Sequence, residues 1–167
     1  FEIDDPKTYT SVWRGETALN RLDDSIFEYA CHEGNYGRKN ILSDNGAENT
    51  QWAMSASPLV VGDHVIVLPG GKPGRSVVAY DKRTGARVWS ALDDTQAYTA
   101  PMVATLNGVR QLVIVSALRA AGLGLEDGRL LWEFPWVTDY NVNAAQPLVV
   151  APNRLFLSAG YGHGSAV

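Results

Sequence analysis

Three groups of side chains in this 167-residue sequence are of types that do chemistry. Cys31-His32-Glu33 sets a thiol, an imidazole and a carboxylate in a row. That trio suggests a metal site, a reactive thiol or a His–Glu base pair. Neighbours in an extended segment point to opposite faces, so the three do not readily converge on one ion. The plainer reading is a partly buried cysteine beside a surface His32 and Glu33, with no metal assigned. A second group, Trp136 with Asn141 and Asn143, lies in and just before the amide-rich segment 139–146. Those amides either line a ligand site or satisfy the backbone of their own loop. The third is His163, which stands between glycines in the glycine-rich stretch 158–165. The stretch lacks the Lys-Ser/Thr of a phosphate loop, which leaves a flexible turn or an exposed functional imidazole. Carboxylates such as Asp63, Asp81, Asp93, Asp94, Glu126 and Asp127 fall in turn-like sequence and read as solvated turn residues. No residue is assigned a catalytic role.

The elements that must position these groups follow a period. Gly85 and Trp89 recur as Gly128 and Trp132, 43 positions later. Apolar runs headed by Pro58, Pro101 and Pro147 open three units. A period of about 40–45 residues with several short strands per unit is the mark of a β-propeller blade. In the first unit the expected strands are 57–61, 64–68, 76–81 and 87–91. The second should hold 101–106, 111–116, 122–125 and 129–134, and the third opens with 147–150 and 154–158. Turn residues separate them: Gly62-Asp63, 82–85, Asn107-Gly108, 126–128 and Pro152-Asn153. The loop 70–74 reads as a plain connection, whereas the polar segments 93–99 and 139–146 both lead into a following unit and belong on one rim. The expectation is all-β: about two and a half four-stranded antiparallel blades at 55–92, 99–136 and 145–167.

Residues 79–89, with Ala79, Asp81, Thr84, Gly85 and Trp89 at the fixed positions, resemble the A-x-D-x-x-T-G-x-x-x-W motif of the PQQ-like β-propellers. That repeat family is shared by quinoprotein alcohol dehydrogenases and an outer-membrane assembly lipoprotein. The second copy is partial: Gly122, Gly124 and Asp127 replace the Ala, Asp and Thr, while Gly128 and Trp132 remain. The resemblance covers about residues 43–167 and implies a partial propeller. In it the motif is structural. The tryptophan packs between blades, burying on the order of 200 Å², and Asp, Thr and Gly close the turn.

Two functions follow from the resemblance. The favoured one is a non-catalytic scaffold that presents rim loops to a protein or small ligand in the bacterial cell envelope, periplasmic or exported. The other is a fragment of a PQQ-dependent dehydrogenase whose calcium-binding and catalytic residues lie outside this chain. The dehydrogenases often hold a vicinal cysteine pair against the quinone, and the single Cys31 excludes such a pair here. A third possibility is a structural module with no activity of its own. No cofactor is evident, with PQQ and calcium expected only in a full-length parent that supplies the missing blades.

Residues 1–42 do not fit the blade period. They resemble the C-terminal segment of an uncharacterised family of exported bacterial proteins, matching D-P-K-T-Y-T-x-x-W from Asp5 and E-Y-A-C-H-E-G-N-Y from Glu28. Short strands are expected at 2–3, 8–13 and 26–30, and 31–42 reads as irregular or a single helical turn. Charge marks the same boundary: residues 1–50 hold ten acidic and five basic side chains, residues 51–167 eight and nine. The two parts therefore read as segments of different origin joined near Asn40–Asn45. With a net charge of −4 and no basic run longer than two residues, nucleic acid is not an expected partner. No apolar run reaches the roughly 20 residues of a membrane span. The chain opens on Phe1 without a signal peptide, and both ends read as cut.

Overall fold

A computed structural model describes residues 2–3, 13–14 and 36–167. It divides into two compact units, Phe1–Gly34 and Asn35–Val167. In the first, β1 (Glu2–Ile3) pairs antiparallel with β2 (Trp13–Arg14). Most of the strand expected at 8–13, all of that at 26–30, and the trio Cys31, His32 and Glu33 lie outside the described residues.

The second unit opens with α1 (Tyr36–Asn45), where an irregular segment or one turn had been expected. Its sequence carries only Ile41 and Leu42 as a central apolar pair, too little for a helical periodicity to be read. The helix is fixed instead by its C-terminal end. Gly46 takes the left-handed conformation (φ 60°). Its N–H then bonds to Ser43 O (3.0 Å) and that of Ala47 to Leu42 O (2.8 Å), closing the last turn. Asn45 donates from its amide to Ile41 O (2.8 Å) and to the Tyr80 hydroxyl (2.9 Å), which ties the helix end to the sheets that follow. The helix crosses the junction drawn between residues 42 and 43.

Three antiparallel meanders follow. The first sheet runs β3 (Leu59–Val61), β4 (His64–Val67), β5 (Val77–Asp81), β6 (Arg87–Ala91). The second runs β7 (Met102–Leu106), β8 (Val109–Val115), β9 (Arg119–Leu123), β10 (Leu130–Pro135). The third has three strands, β11 (Leu148–Ala151), β12 (Arg154–Ala159) and β13 (Gly164–Ala166). This is the all-β partial propeller that the period predicts. Two details differ from it. β9 begins at Arg119 rather than at 122, because Ser116 closes a tight turn through its N–H to Arg119 O (2.8 Å). The glycine-rich stretch at the end is turn only to residue 163 and then becomes β13.

Burial follows the pleat. Ile66, Val77 and Ala79 of the first sheet face Leu112, Ile114, Ala121 and Leu123 of the second across one core. Two smaller clusters, Val115–Ala120–Trp136–Leu157 and Ala104–Leu106–Val113, join the second sheet to the third. From Gln111 onward the central strand β8 is buried on both faces, which explains its continuous apolar run Leu112–Val115.

Candidate functional site

In an antiparallel meander consecutive connections alternate between the two ends of the strands. The hairpin turns (62–63, 82–86, 107–108, 124–129, 152–153) share one end, and the longer loops share the other.

The turn end carries the repeated motif. The Asp81 carboxylate Oδ1 accepts from the backbone N–H of Arg83 (3.0 Å) and Thr84 (2.7 Å) and from the Thr84 hydroxyl (2.8 Å). Those bonds, the Thr84 N–H first, hold its pKa below the ordinary carboxylate value. The Thr84 hydroxyl in turn accepts from Ala86 N (3.2 Å). In the second copy Asp127 occupies the threonine position, and its Oδ1 accepts from Arg129 N (3.0 Å). A Cβ on Gly124 would meet that same carboxylate oxygen. One carboxylate has therefore moved from the first to the fourth position of the turn, and the glycine makes room for it. Gly85 and Gly128 are left-handed in both copies (φ 72° and 67°).

Each tryptophan then meets a different surface. Trp89, 8% exposed, packs its ring on Gly128 of the next sheet, where a Cβ would collide with it, and donates from Nε1 to Leu125 O (3.2 Å). Trp132 lies over Gly122 of its own sheet and donates to Gln111 Oε1 (2.5 Å). Its outer face lines an apolar groove of about 510 Å³ between the second and third sheets.

At the loop end the segments 46–51, 69–72, 95–98 and 140–141 converge on a polar cleft of about 530 Å³. A buried network holds the linker between the first two sheets in place. Asp94 accepts from Arg119 Nη2 (2.6 Å) and Ser116 Oγ (2.7 Å), while its carbonyl accepts from Ser76 Oγ (2.5 Å). Arg119 also pairs with Glu133; its bond to Asp94 is the chief reason its pKa is raised, against the opposing effect of burial. Gln96 follows, 6% exposed, donating from Nε2 to Glu48 O (3.2 Å) while its Oε1 has no partner. Thr50 Oγ1, also buried, is likewise unpartnered. Gly70 (φ 60°) lets the loop 69–72 close over Gln96, whose backbone N a Cβ there would strike.

The residues singled out from sequence are distributed around this end. Asn141 lines the cleft on a short turn, Asp139–Asn141, in which Tyr140 and Asn141 both take positive φ (61° and 57°). Asn143 is buried beneath, and its amide donates to Ser116 O (2.9 Å) and Trp136 O (3.3 Å), closing the loop. Trp136 is buried with its ring edge-on to His163 at 4.5 Å, so these two candidates do meet, outside the cleft. The two polar linkers read as one rim share the cleft, joined by the bond from Tyr98 N to Asn143 O (2.9 Å). The loop 70–74, read as plain, supplies a wall. Asp94 is a correction: it is not a solvated turn carboxylate but a buried one, because Arg119, Ser116 and their strands enclose it.

Thr50 carried no signal in the sequence, and Gln96 only as one member of the polar segment 93–99; the Asp94–Arg119 pair carried none. Among the described residues no three His, Cys, Asp or Glu side chains come together as a metal site, and no helix is long and apolar enough to cross a membrane.

Comparison with known proteins bears on residues 43–167, which match the family model described as outer membrane protein assembly factor BamB. Among solved structures, BamB from Moraxella catarrhalis aligns with a TM-score of 0.43 at 16% identity, over 63% of this chain and 30% of that one. The chain thus spans less than a third of that protein's length. No curated protein matches it.

Proposed function

The chain belongs to the family of outer membrane protein assembly factor BamB, through the PQQ-like repeats of residues 43–167, and on that premise we propose that it is a non-catalytic scaffold whose loop end recognises a ligand or partner in the bacterial envelope. The observation that carries this reading is the unpartnered Oε1 of Gln96 in a cleft built from four separate loops. Buried polar atoms without partners are uncommon and costly. A folded chain that keeps one inside a concave site of small-molecule size has an acceptor waiting for a donor.

The reading includes no resident cofactor. Titration with PQQ and calcium, followed by absorbance, should give no saturable complex; a calcium-dependent one would favour the dehydrogenase alternative. Envelope residence rests on the family alone and is tested by fractionating native cells.

Recognition is tested by immobilising the full chain and passing an extract of the native envelope over it. Gln51→Trp with Thr95→Trp crowds the cleft and should abolish retention. Arg83→Trp with Glu126→Trp, at the turn end, should leave it intact. Equal loss from both pairs would sink the assignment of recognition to the loops.

A further inference from the structure

The cleft has the chemistry of a site for one class of compound. Its walls carry the amides of Asn49, Gln51, Gln96 and Asn141, with the hydroxyls of Thr50 and Thr95. Tyr98 and Tyr140 add aromatic surface: Tyr98 meets Trp52 edge-on at 6.0 Å, and Tyr140 meets Tyr161 at 5.9 Å. Tyr140 is 74% exposed, held out at positive φ where a bulky residue is strained. Charge is nearly absent. Lys72 is the sole cation of the lining and Glu48 the sole anion. An inorganic or organic phosphate is poorly served by one lysine without arginine. A lipid chain is poorly served by walls that are mainly polar.

We propose that the cleft binds a neutral saccharide, and that the Gln96 side chain, whose Oε1 is closed off from solvent in the free chain, turns into the cleft to accept a hydrogen bond from a sugar hydroxyl. This rests on the reading of the loop end as the recognition face and names what occupies it. Planar amides offer an acceptor and two donors side by side, which suits adjacent hydroxyls that both donate and accept. Tyrosine rings, Tyr140 exposed and Tyr98 half-buried, can cover the C–H faces of a sugar ring. A buried acceptor discriminates for a ligand hydroxyl, because a ligand without one leaves Gln96 Oε1 unpaired. The concavity separates a saccharide from a protein partner, whose contact surface is broad and flat by comparison.

The test is a titration of the isotope-labelled full chain with maltohexaose, cellohexaose and chitohexaose, read by amide chemical shifts. At least one should give saturable shifts confined to residues 46–52, 69–72, 95–98 and 140–141. Gln96→Ala should weaken that binding about tenfold, the loss of roughly one hydrogen bond, with no more than a modest fall in melting temperature from the lost bond to Glu48 O. Should Gln96→Ala fail to fold, Tyr140→Ala takes its place, since that side chain is exposed; it too should weaken binding without altering melting. No shift with any of the three at about 10 mM, enough to load most of a site with a Kd of about 1 mM, overturns the saccharide. If envelope proteins are then still retained through the loop end, the recognition reading survives without it. If the cleft-crowding pair changes nothing either, both fall. Saturable shifts at the turn end instead would also overturn the proposal.

Discussion

The two ends of these sheets are made from the same kinds of residue, yet only one of them is closed. At the turn end the side chains of Asp81, Thr84 and Asp127 bond to the backbone within three residues of themselves. Trp89 seals the junction to the second sheet. At the loop end the bonds span long stretches of chain, as from Arg119 to Asp94 across 25 residues, and they do not use every group. The buried side-chain atoms left unpartnered among the described residues belong to Asn45, Thr50, Gln96 and Asn143, and none lies in a hairpin turn. The contrast teaches a division of labour. Local, saturated bonding holds blades in register, while the long-range bonding of the loops leaves some buried oxygens unpartnered.

The largest effect should come from the sealed junction. Trp89→Ala removes a buried indole and should destabilise the chain by about 3–5 kcal/mol in denaturant unfolding. Trp132→Ala, whose ring faces the open groove, should cost no more than about half as much; equal losses would break the distinction between the two junctions. Asp94→Asn should come next, at about 2 kcal/mol, below the full value for a buried pair because Arg119 is partly solvated and keeps Glu133. Gly128→Ala should cost about 1–2 kcal/mol from the left-handed backbone alone, plus a clash with the Trp89 ring. In a Trp89→Ala background the clash term should vanish, so a double-mutant cycle isolates it.

The Asp81 turn gives a dependence on pH with a definite sign. Its pKa is lowered in the folded state, so its contribution is complete above the unfolded value near 4. It should be lost as pH falls below that value, through the folded pKa. Comparing acid unfolding of wild type and Asp81→Asn checks this, since the variant should lack that part of the acid loss. Gln96→Leu should have the smallest effect: it loses one long bond to Glu48 and removes an orphaned acceptor, so stability should stay within about 1 kcal/mol.

The same division explains what could be read from sequence. The turn end was legible because its bonds are local: Asp81, Thr84, Gly85 and Trp89 stand at fixed spacings, and Gly128 and Trp132 repeat them. The start of β9 was not, because Ser116 caps a turn that has no counterpart in the first sheet, where loop 68–76 is longer. The helix Tyr36–Asn45 was missed since its end, not its periodicity, defines it. Of the cleft, Asn141 and the two polar linkers could be found by composition. Thr50 could not, and Gln96 only as one member of the linker 93–99, because a buried, unpartnered side-chain oxygen is a property of the assembled loops and not of any spacing.

The most direct test of that division is site-specific photocrosslinking in the native envelope. Benzoylphenylalanine replaces Tyr140 at the loop end in one variant and Arg83 at the turn end in another; both positions are exposed. Adducts should form from position 140 and not from position 83. Adducts from position 83 alone, or equally from both, would contradict the claim that the loop end is the face this chain uses.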